Sequence, residues 1–239
     1  MKLPALHSQV FIFDLDDTLY KEVDYVVSAY RHIDMLLVAD YDIKPTSAFR
    51  TLITAYIDGD NPFDTLNEYL TKQGIVIPDA IQWMLSEYRY HVPLIHLDDN
   101  TRFTLDSLRE IGIPMYIITD GRSITQRNKI RALELDRYIP WSNVFISEEQ
   151  GHDKTDPHSF DCIKKRYENE PEELEFVFIG DNPAKDFIVA NKYGVTSIQL
   201  IDNGKNIHPQ NIKVDKLHKA QKSIKHIHEL NKFVNDWYF

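Results

Sequence analysis

A short apolar run, Val10–Phe13, leads without a break into Asp14-Leu15-Asp16-Asp17-Thr18-Leu19. No feature of the chain constrains its fold more. Four consecutive apolar residues bounded by polar ones suit a strand buried on both faces, as in a parallel sheet. In open parallel sheets, sites form beyond the carboxyl ends of the strands. The run therefore predicts three acidic side chains on the rim where chemistry is expected.

The same pattern recurs. Met115–Ile118 ends on Thr119-Asp120-Gly121, and Phe176–Ile179 ends on Gly180-Asp181 and the segment through Asp186. Val144–Ile146 is a fourth candidate strand. Helical spacing lies between them, over Thr101–Ile111, which stops at Gly112, and over Ser123–Leu135, with Ser123 as the expected N-cap. Strands alternating with helices predict an α/β protein with a parallel sheet covered on both faces.

Residues 21–92 break the alternation. Val23, Val26, Val27, Tyr30, Ile33 and Leu37 follow helical spacing, as do Phe49, Leu52, Ile53 and Tyr56. Asn61-Pro62 reads as an N-cap followed by proline at the first helical position, Gly74 ends that helix, and Pro78-Asp79 opens another through Tyr90. An all-helical insertion is expected here, making a cap domain of 21–92 on a core of 1–20 and 93–239. Beyond it, Asp202–Lys219 is polar and reads as no element. A short strand near Ile224 and a helix over Glu229–Asn235 close the chain.

An isolated aspartate after a strand is usually a turn or cap residue, and Asp17 is assigned that role, with Asp120 a second candidate for it. Three strand ends delivering Asp or Thr to one rim are harder to explain as turns. Clustered carboxylates repel one another unless a cation is bound. Oxygen-only donors suit Mg²⁺, which takes one or two carboxylates, waters and a substrate phosphate.

In this order, the residues resemble the four motifs of the haloacid dehalogenase-like hydrolases. Asp14-Leu15-Asp16-Asp17-Thr18 matches DxDxT, and Thr119 after its strand resembles the second motif. Lys154 within Ile146–Pro157 resembles the third, with Thr155 where many relatives have proline. Gly180-Asp181 through Asp186, followed by Ala190 and Gly194, resembles the fourth. The resemblance implies a Rossmann-like core, a C1-type cap and a phospho-aspartyl mechanism. Asp14 would be the nucleophile and Asp16 the general acid and base. Thr119 and Lys154 would hold the phosphoryl group, with Asp120 and Gly121 beside it. Mg²⁺ would be carried by Asp14, Asp16 through its backbone carbonyl, and Asp181, with Asp186 a ligand or an outer partner. Asp16 argues against dehalogenation, which needs no proton on a leaving oxygen. The expected activity is Mg²⁺-dependent hydrolysis of a small phosphorylated metabolite. A phosphomutase and a catalytically silent metal- or partner-binding domain are the alternatives.

Composition closes other routes. A net charge of −10 disfavours nucleic-acid binding through phosphates. No apolar run reaches the ~18 residues of a membrane span, and the N-terminal stretch does not read as a signal peptide. Cys162 is the single cysteine, which excludes an intrachain disulfide and fits a cytoplasmic setting. It reads as a packing residue. The ten histidines lack zinc spacing. Arg122 reads as surface charge, the cap aromatics as core, and no nucleotide-binding glycine loop is present.

Overall fold

The structure, a computed structural model, describes residues 9–170 and 174–234. A parallel sheet runs in the order β3-β2-β1-β4-β5-β6. Its strands are β1 (Gln9–Phe13), β2 (Met115–Thr119), β3 (Val144–Ile146), β4 (Glu175–Gly180), β5 (Thr196–Leu200) and β6 (Lys222–Ile224). Every neighbouring pair is parallel, with Phe13 beside Ile117 on one side and Ile179 on the other. β1 is thus central, and its carboxyl end is flanked by those of β2 and β4.

Side chains alternate across the sheet with period two. Phe11, Phe13, Met115, Ile117, Val177 and Ile179 enter one core layer. Helices α5 (Asp99–Glu110) and α6 (Ser123–Ala132) cover it, together with a 3₁₀ segment over Ile227–Phe233. Val10, Ile12, Tyr116, Ile118 and Phe178 enter the opposite layer, under α8 (His158–Lys165) and α9 (Phe187–Lys192). The four-residue α7 (Ser147–Gln150) follows β3. The sheet is therefore the expected Rossmann-like one.

Between β1 and β2 the chain first forms α1 (Glu22–Tyr41), α2 (Ser47–Asp58), α3 (Pro62–Lys72) and α4 (Ala80–Tyr90). They enclose a separate apolar cluster containing Tyr30, Ile33, Leu37, Leu52, Leu66, Leu70 and Met84. No strand occurs here among the described residues. Asn61 caps α3 as expected, its Oδ1 accepting from the Phe63 and Asp64 amides. Tyr25 of α1 is buried in the core layer under the sheet, where the insertion meets it, and donates to the Tyr88 carbonyl of α4 within the insertion at 2.6 Å.

Three sequence expectations need correction. Ser123 does not cap α6: Arg122 holds the N-cap position, and Ser123 instead donates its hydroxyl to Glu149. The helix stops at Ala132, and Leu135–Arg137 is a separate 3₁₀ turn behind Glu134, which has φ 54°. The closing helix is the 3₁₀ segment Ile227–Phe233, and Asn235 lies outside the described residues. β5 was not anticipated. Thr196–Leu200 has only two fully apolar residues among polar ones, and it becomes a strand by pairing between β4 and β6.

A buried polar contact joins two helices of the insertion. Asp34 of α1 is buried, and its carboxylate accepts from the Thr46 and Phe49 amides at 3.0 Å each. These are N-terminal groups of α2, whose own N-cap Thr46 makes no side-chain cap bond. Asp34→Ala should therefore destabilise the fold by about 1–3 kcal/mol. Urea titration checks this, and an unchanged midpoint would show that water replaces the carboxylate at no cost.

Candidate active site

The site is built from the carboxyl ends of β1, β2 and β4, with a loop after α7. The Asp14 amide donates to the Ile179 carbonyl at 2.8 Å, which continues the sheet by one residue and fixes the start of the acidic turn. Asp17 has φ 57°, a conformation that aspartate tolerates better than most residues. Its carboxylate accepts from the Glu22 amide at 3.0 Å and the Ile207 amide at 2.8 Å. Asp17 is thus a turn and anchor residue, as assigned from the sequence.

Lys154 is buried at the centre. Its ammonium lies 2.7 Å from Asp14 Oδ1 and 2.7 Å from Asp186 Oδ1. Burial alone would lower this lysine, but Asp14 and Asp186 reverse the effect and hold it well above its ordinary value. Asp186 Oδ2 accepts from the Asp181 and Asn182 amides at 3.0 and 2.7 Å. Gly180 makes room for that carboxylate, since a side chain there would collide with it.

Thr119 ends β2 and is buried; its Oγ1 accepts from Gln126 Nε2 at 2.7 Å. Asp120 caps the third-motif loop, accepting from the Lys154 amide at 2.9 Å, and its other oxygen meets Lys185 Nζ at 3.0 Å. The Gly121 amide donates to Ser147 Oγ at 2.9 Å. Arg122 forms an exposed ion pair with Glu148, consistent with surface charge.

Asp16 has its own set of partners. Oδ1 accepts from Lys129 Nζ at 2.6 Å and Tyr20 OH at 2.5 Å, and Oδ2 accepts from Gln126 Nε2 at 2.7 Å. Burial would raise its pKa, but Lys129 and the three hydrogen bonds outweigh that and hold it below its ordinary value. Asp14 moves the other way, pushed up by burial to about 8 against the pull of Lys154. Burial, Asp14 and Asp186 push Asp181 up to about 9.

A cavity of about 120 Å³ opens over these groups and brings together Asp14, Asp16, Thr119, Asp120, Lys154 and Asp181. Asp17, Glu22, Asn182, Lys185 and His208 also line it. Gly121 and Asp186 lie behind the lining. Sequence reasoning missed Tyr20, Glu22, Gln126, Lys129 and His208. Gln126 and Lys129 lie three apart on the helix that follows Thr119, which puts them on one face. That register was the available sign. The polar segment after β5 also takes part. Asn206 donates to Asp181 Oδ2 at 2.7 Å and accepts from Lys21, while Gln210 donates to the Asp181 carbonyl at 2.8 Å.

Carboxylate oxygens of Asp14, Asp181 and Asp186 lie within 4.8 Å of one another, all buried. An all-oxygen donor set of this kind fits Mg²⁺. The raised Asp14 and Asp181 fit it too, because a cation would offset the repulsion that burial intensifies.

A model of the haloacid dehalogenase-like hydrolases matches residues 11–200. The chain belongs to this family. Among curated relatives it is similar to the glyceraldehyde 3-phosphate phosphatase of Methanocaldococcus jannaschii, at 27% identity over 80% of this chain and 83% of that one. It is also similar to the protein of that name from Methanopyrus kandleri, at 30% identity over 77% and 66%. Among solved structures, the fold is similar to that of the hydrolase YfnB from Bacillus subtilis, solved with magnesium. The TM-score is 0.61 at 21% identity, over 96% of this chain and 99% of that one. A family phosphatase from Thermococcus onnurineus aligns with a TM-score of 0.56 at 22% identity, over 94% and 97%.

The raised carboxyls of this hydrolase make a pH prediction. Unfolded, Asp14 and Asp181 ionise near 3.8; folded, near 8 and 9. Between these limits the native state binds more protons, so the metal-free protein loses stability as pH rises. A bound divalent cation displaces those protons, so the stabilisation by Mg²⁺ should grow from pH 5 to pH 8. Thermal midpoints with and without Mg²⁺ across that range check it; an increment that stays flat or shrinks with pH contradicts it.

Proposed function

We propose that this hydrolase cleaves a small phosphomonoester with Mg²⁺ through a phosphorylated Asp14. The observation that carries the reading is the pair Asp14 and Asp16, two residues apart on one turn and held in opposite electrostatic settings by Lys154 and Lys129. Two carboxylates whose pKa values are driven apart suit two different roles.

Asp14 attacks phosphorus while the bond to the ester oxygen breaks, and Asp16 in its acid form gives that oxygen a proton. Asp16, now a carboxylate, takes a proton from water, which attacks the aspartyl phosphate and releases inorganic phosphate. Asp14 is restored. Lys129 holds Asp16 ionised in the free enzyme, and the charge of an incoming phosphate opposes that and favours the acid form. Thr119 and Lys154 hold phosphoryl oxygens. Asp14, the Asp16 carbonyl and Asp181 would hold Mg²⁺, which supplies charge neutralisation when bound. Asp186, whose oxygens already serve Lys154 and two amides, acts as the outer partner. The enzyme is accordingly a phosphoric monoester hydrolase.

The substrate is a short-chain phosphate of the size of glyceraldehyde 3-phosphate, which the curated relatives are named for. The cavity volume supports this, because about 120 Å³ suits a phosphate with a few attached atoms. Residues 21–92 serve as the cap, since Glu22 at the start of α1 reaches the cavity. The described residues of the sheet and its covering helices serve as the catalytic core. Among the described residues no helix is long and apolar enough to cross a membrane, and the unpaired Cys162 suits the cytoplasm. A nucleic-acid substrate is disfavoured by the acidic lining.

The test is phosphate release from short-chain phosphomonoesters, abolished by chelation and restored by Mg²⁺. Asp14→Asn should reduce turnover to background with an unchanged circular dichroism spectrum. Substantial residual turnover would remove Asp14 as nucleophile. A phosphoenzyme that persists until a sugar phosphate is added would favour a mutase. Thr119→Ala should cost roughly 10²–10³-fold in rate, as expected for losing one transition-state donor. An unchanged kcat/KM would leave Thr119 as the end of a strand and nothing more.

A further inference from the structure

Lys129 is buried, with 3% of its side chain exposed. Removing an ammonium from water is costly unless charged partners replace the solvent. Here the partners are specific. Asp16 Oδ1 lies at 2.6 Å and Glu22 Oε1 at 3.4 Å, and the ammonium sits 4.6 Å from the centre of the Tyr25 ring. One helical turn earlier, Gln126 is 1% exposed and uses one amide nitrogen twice, towards Asp16 Oδ2 and towards Thr119 Oγ1. Neither residue touches the cavity, yet together they hold both oxygens of Asp16 and the hydroxyl of Thr119.

The hydrogen-bond inventory gives this contact a direction. A threonine hydroxyl has one hydrogen and two lone pairs. Since Oγ1 of Thr119 accepts from Gln126, its own hydrogen is left to donate elsewhere, and Thr119 lines the cavity. The two carboxylate oxygens of Asp16 are likewise held from two sides, so its plane cannot rotate without breaking a short bond. An apolar pair at positions 126 and 129 would pack the same helix face with no desolvation cost.

We propose that Gln126 and Lys129 are positioning residues, a buried pair on α6 that fixes the Asp16 carboxylate and turns the Thr119 hydroxyl towards the phosphoryl group. The proposal rests on the phosphatase reading above. It assigns the first two turns of α6 a part in the reaction, although neither side chain reaches substrate. Precise placement of reacting groups is worth large factors in rate, and a small misplacement costs ~10²-fold.

The test is a double-mutant cycle on the full chain, with 4-nitrophenyl phosphate and glyceraldehyde 3-phosphate as substrates and Mg²⁺ present. Lys129→Met should lower kcat at least about tenfold with KM changed less than about threefold. In an Asp16→Asn background the same substitution should cost less than about threefold, because the group it positions is already gone. Gln126→Met, which keeps Lys129 in place, should cost less in an Asp16→Asn or a Thr119→Ala background than in wild type, and least when both are changed, because each removes one of the two groups it holds. It carries the test alone if Lys129→Met lowers the thermal midpoint so far that the variant does not fold. Equal losses in the presence and absence of Asp16 would overturn the proposal and make the pair purely structural, as would unchanged kcat in both single variants. Inactive wild type with every substrate would instead remove the phosphatase reading, and the proposal with it.

Discussion

The buried ammonium of Lys154, held between Asp14 and Asp186, is the contact on which the rest of the site depends. It joins the end of β1, the loop after α7 and the turn after β4 at one point. Its backbone is tied independently to β2, because the Lys154 amide donates to Asp120. Removing one member of such a buried set leaves an uncompensated charge, which is far costlier than the intact set is favourable. The strand ends are thereby held in register by the same groups that the proposed reaction uses. Gly180 belongs to this arrangement, since only a residue without a side chain lets the Asp186 carboxylate lie against the strand end.

Around that point the charges do not balance within the protein. Six carboxylates and two lysines line the cavity. A phosphate dianion would meet net repulsion there without a cation, which supports the proposed Mg²⁺. The two lysines that matter most are segregated. Lys154 serves Asp14 and Asp186, while Lys129 serves Asp16 and Glu22. This division explains why two aspartates on one short turn are shifted in opposite directions. Asp14 has one lysine shared with another fully buried carboxylate, whereas Asp16 adds Tyr20 and Gln126 to its lysine.

The strands that end at the site were legible because each is a short, uninterrupted apolar run, and burial on both faces demands that pattern. The insertion was legible because helical spacing replaces it. β5 was not, because Thr196, Ser197 and Gln199 leave only Ile198 and Leu200 apolar, and pairing on both sides with β4 and β6 is what makes it a strand. Asp14, Asp16, Thr119, Lys154 and Asp181 converge on one cavity because the topology places β1 between β2 and β4. Lys129 was hidden for a different reason. On a helix, a lysine followed by Ile130 reads as the edge of a solvated face. Only the position of Asp16 in space makes its burial tolerable. Ser123 failed as a cap through competition, as Glu149 lies close enough to take its hydroxyl.

The polar stretch after β5 shows the same dependence on space over sequence. Asp202 Oδ1 accepts from the amides of Gly204, Lys205 and Asn206, so one carboxylate folds the turn without any apolar core. That turn brings Asn206 to Asp181 and the Ile207 amide to Asp17, and Asp17 in turn accepts from the first residue of α1. Three segments with no shared periodicity are thus joined by hydrogen bonds to acidic side chains that the strand ends supply. Asp17 takes no part in the proposed reaction, yet it connects the helical insertion, the post-β5 turn and the acidic turn after β1. The acidic run that first marks the sequence therefore does two kinds of work: Asp14 and Asp16 face the cavity with lysines behind them, and the residue after them gathers the surrounding chain.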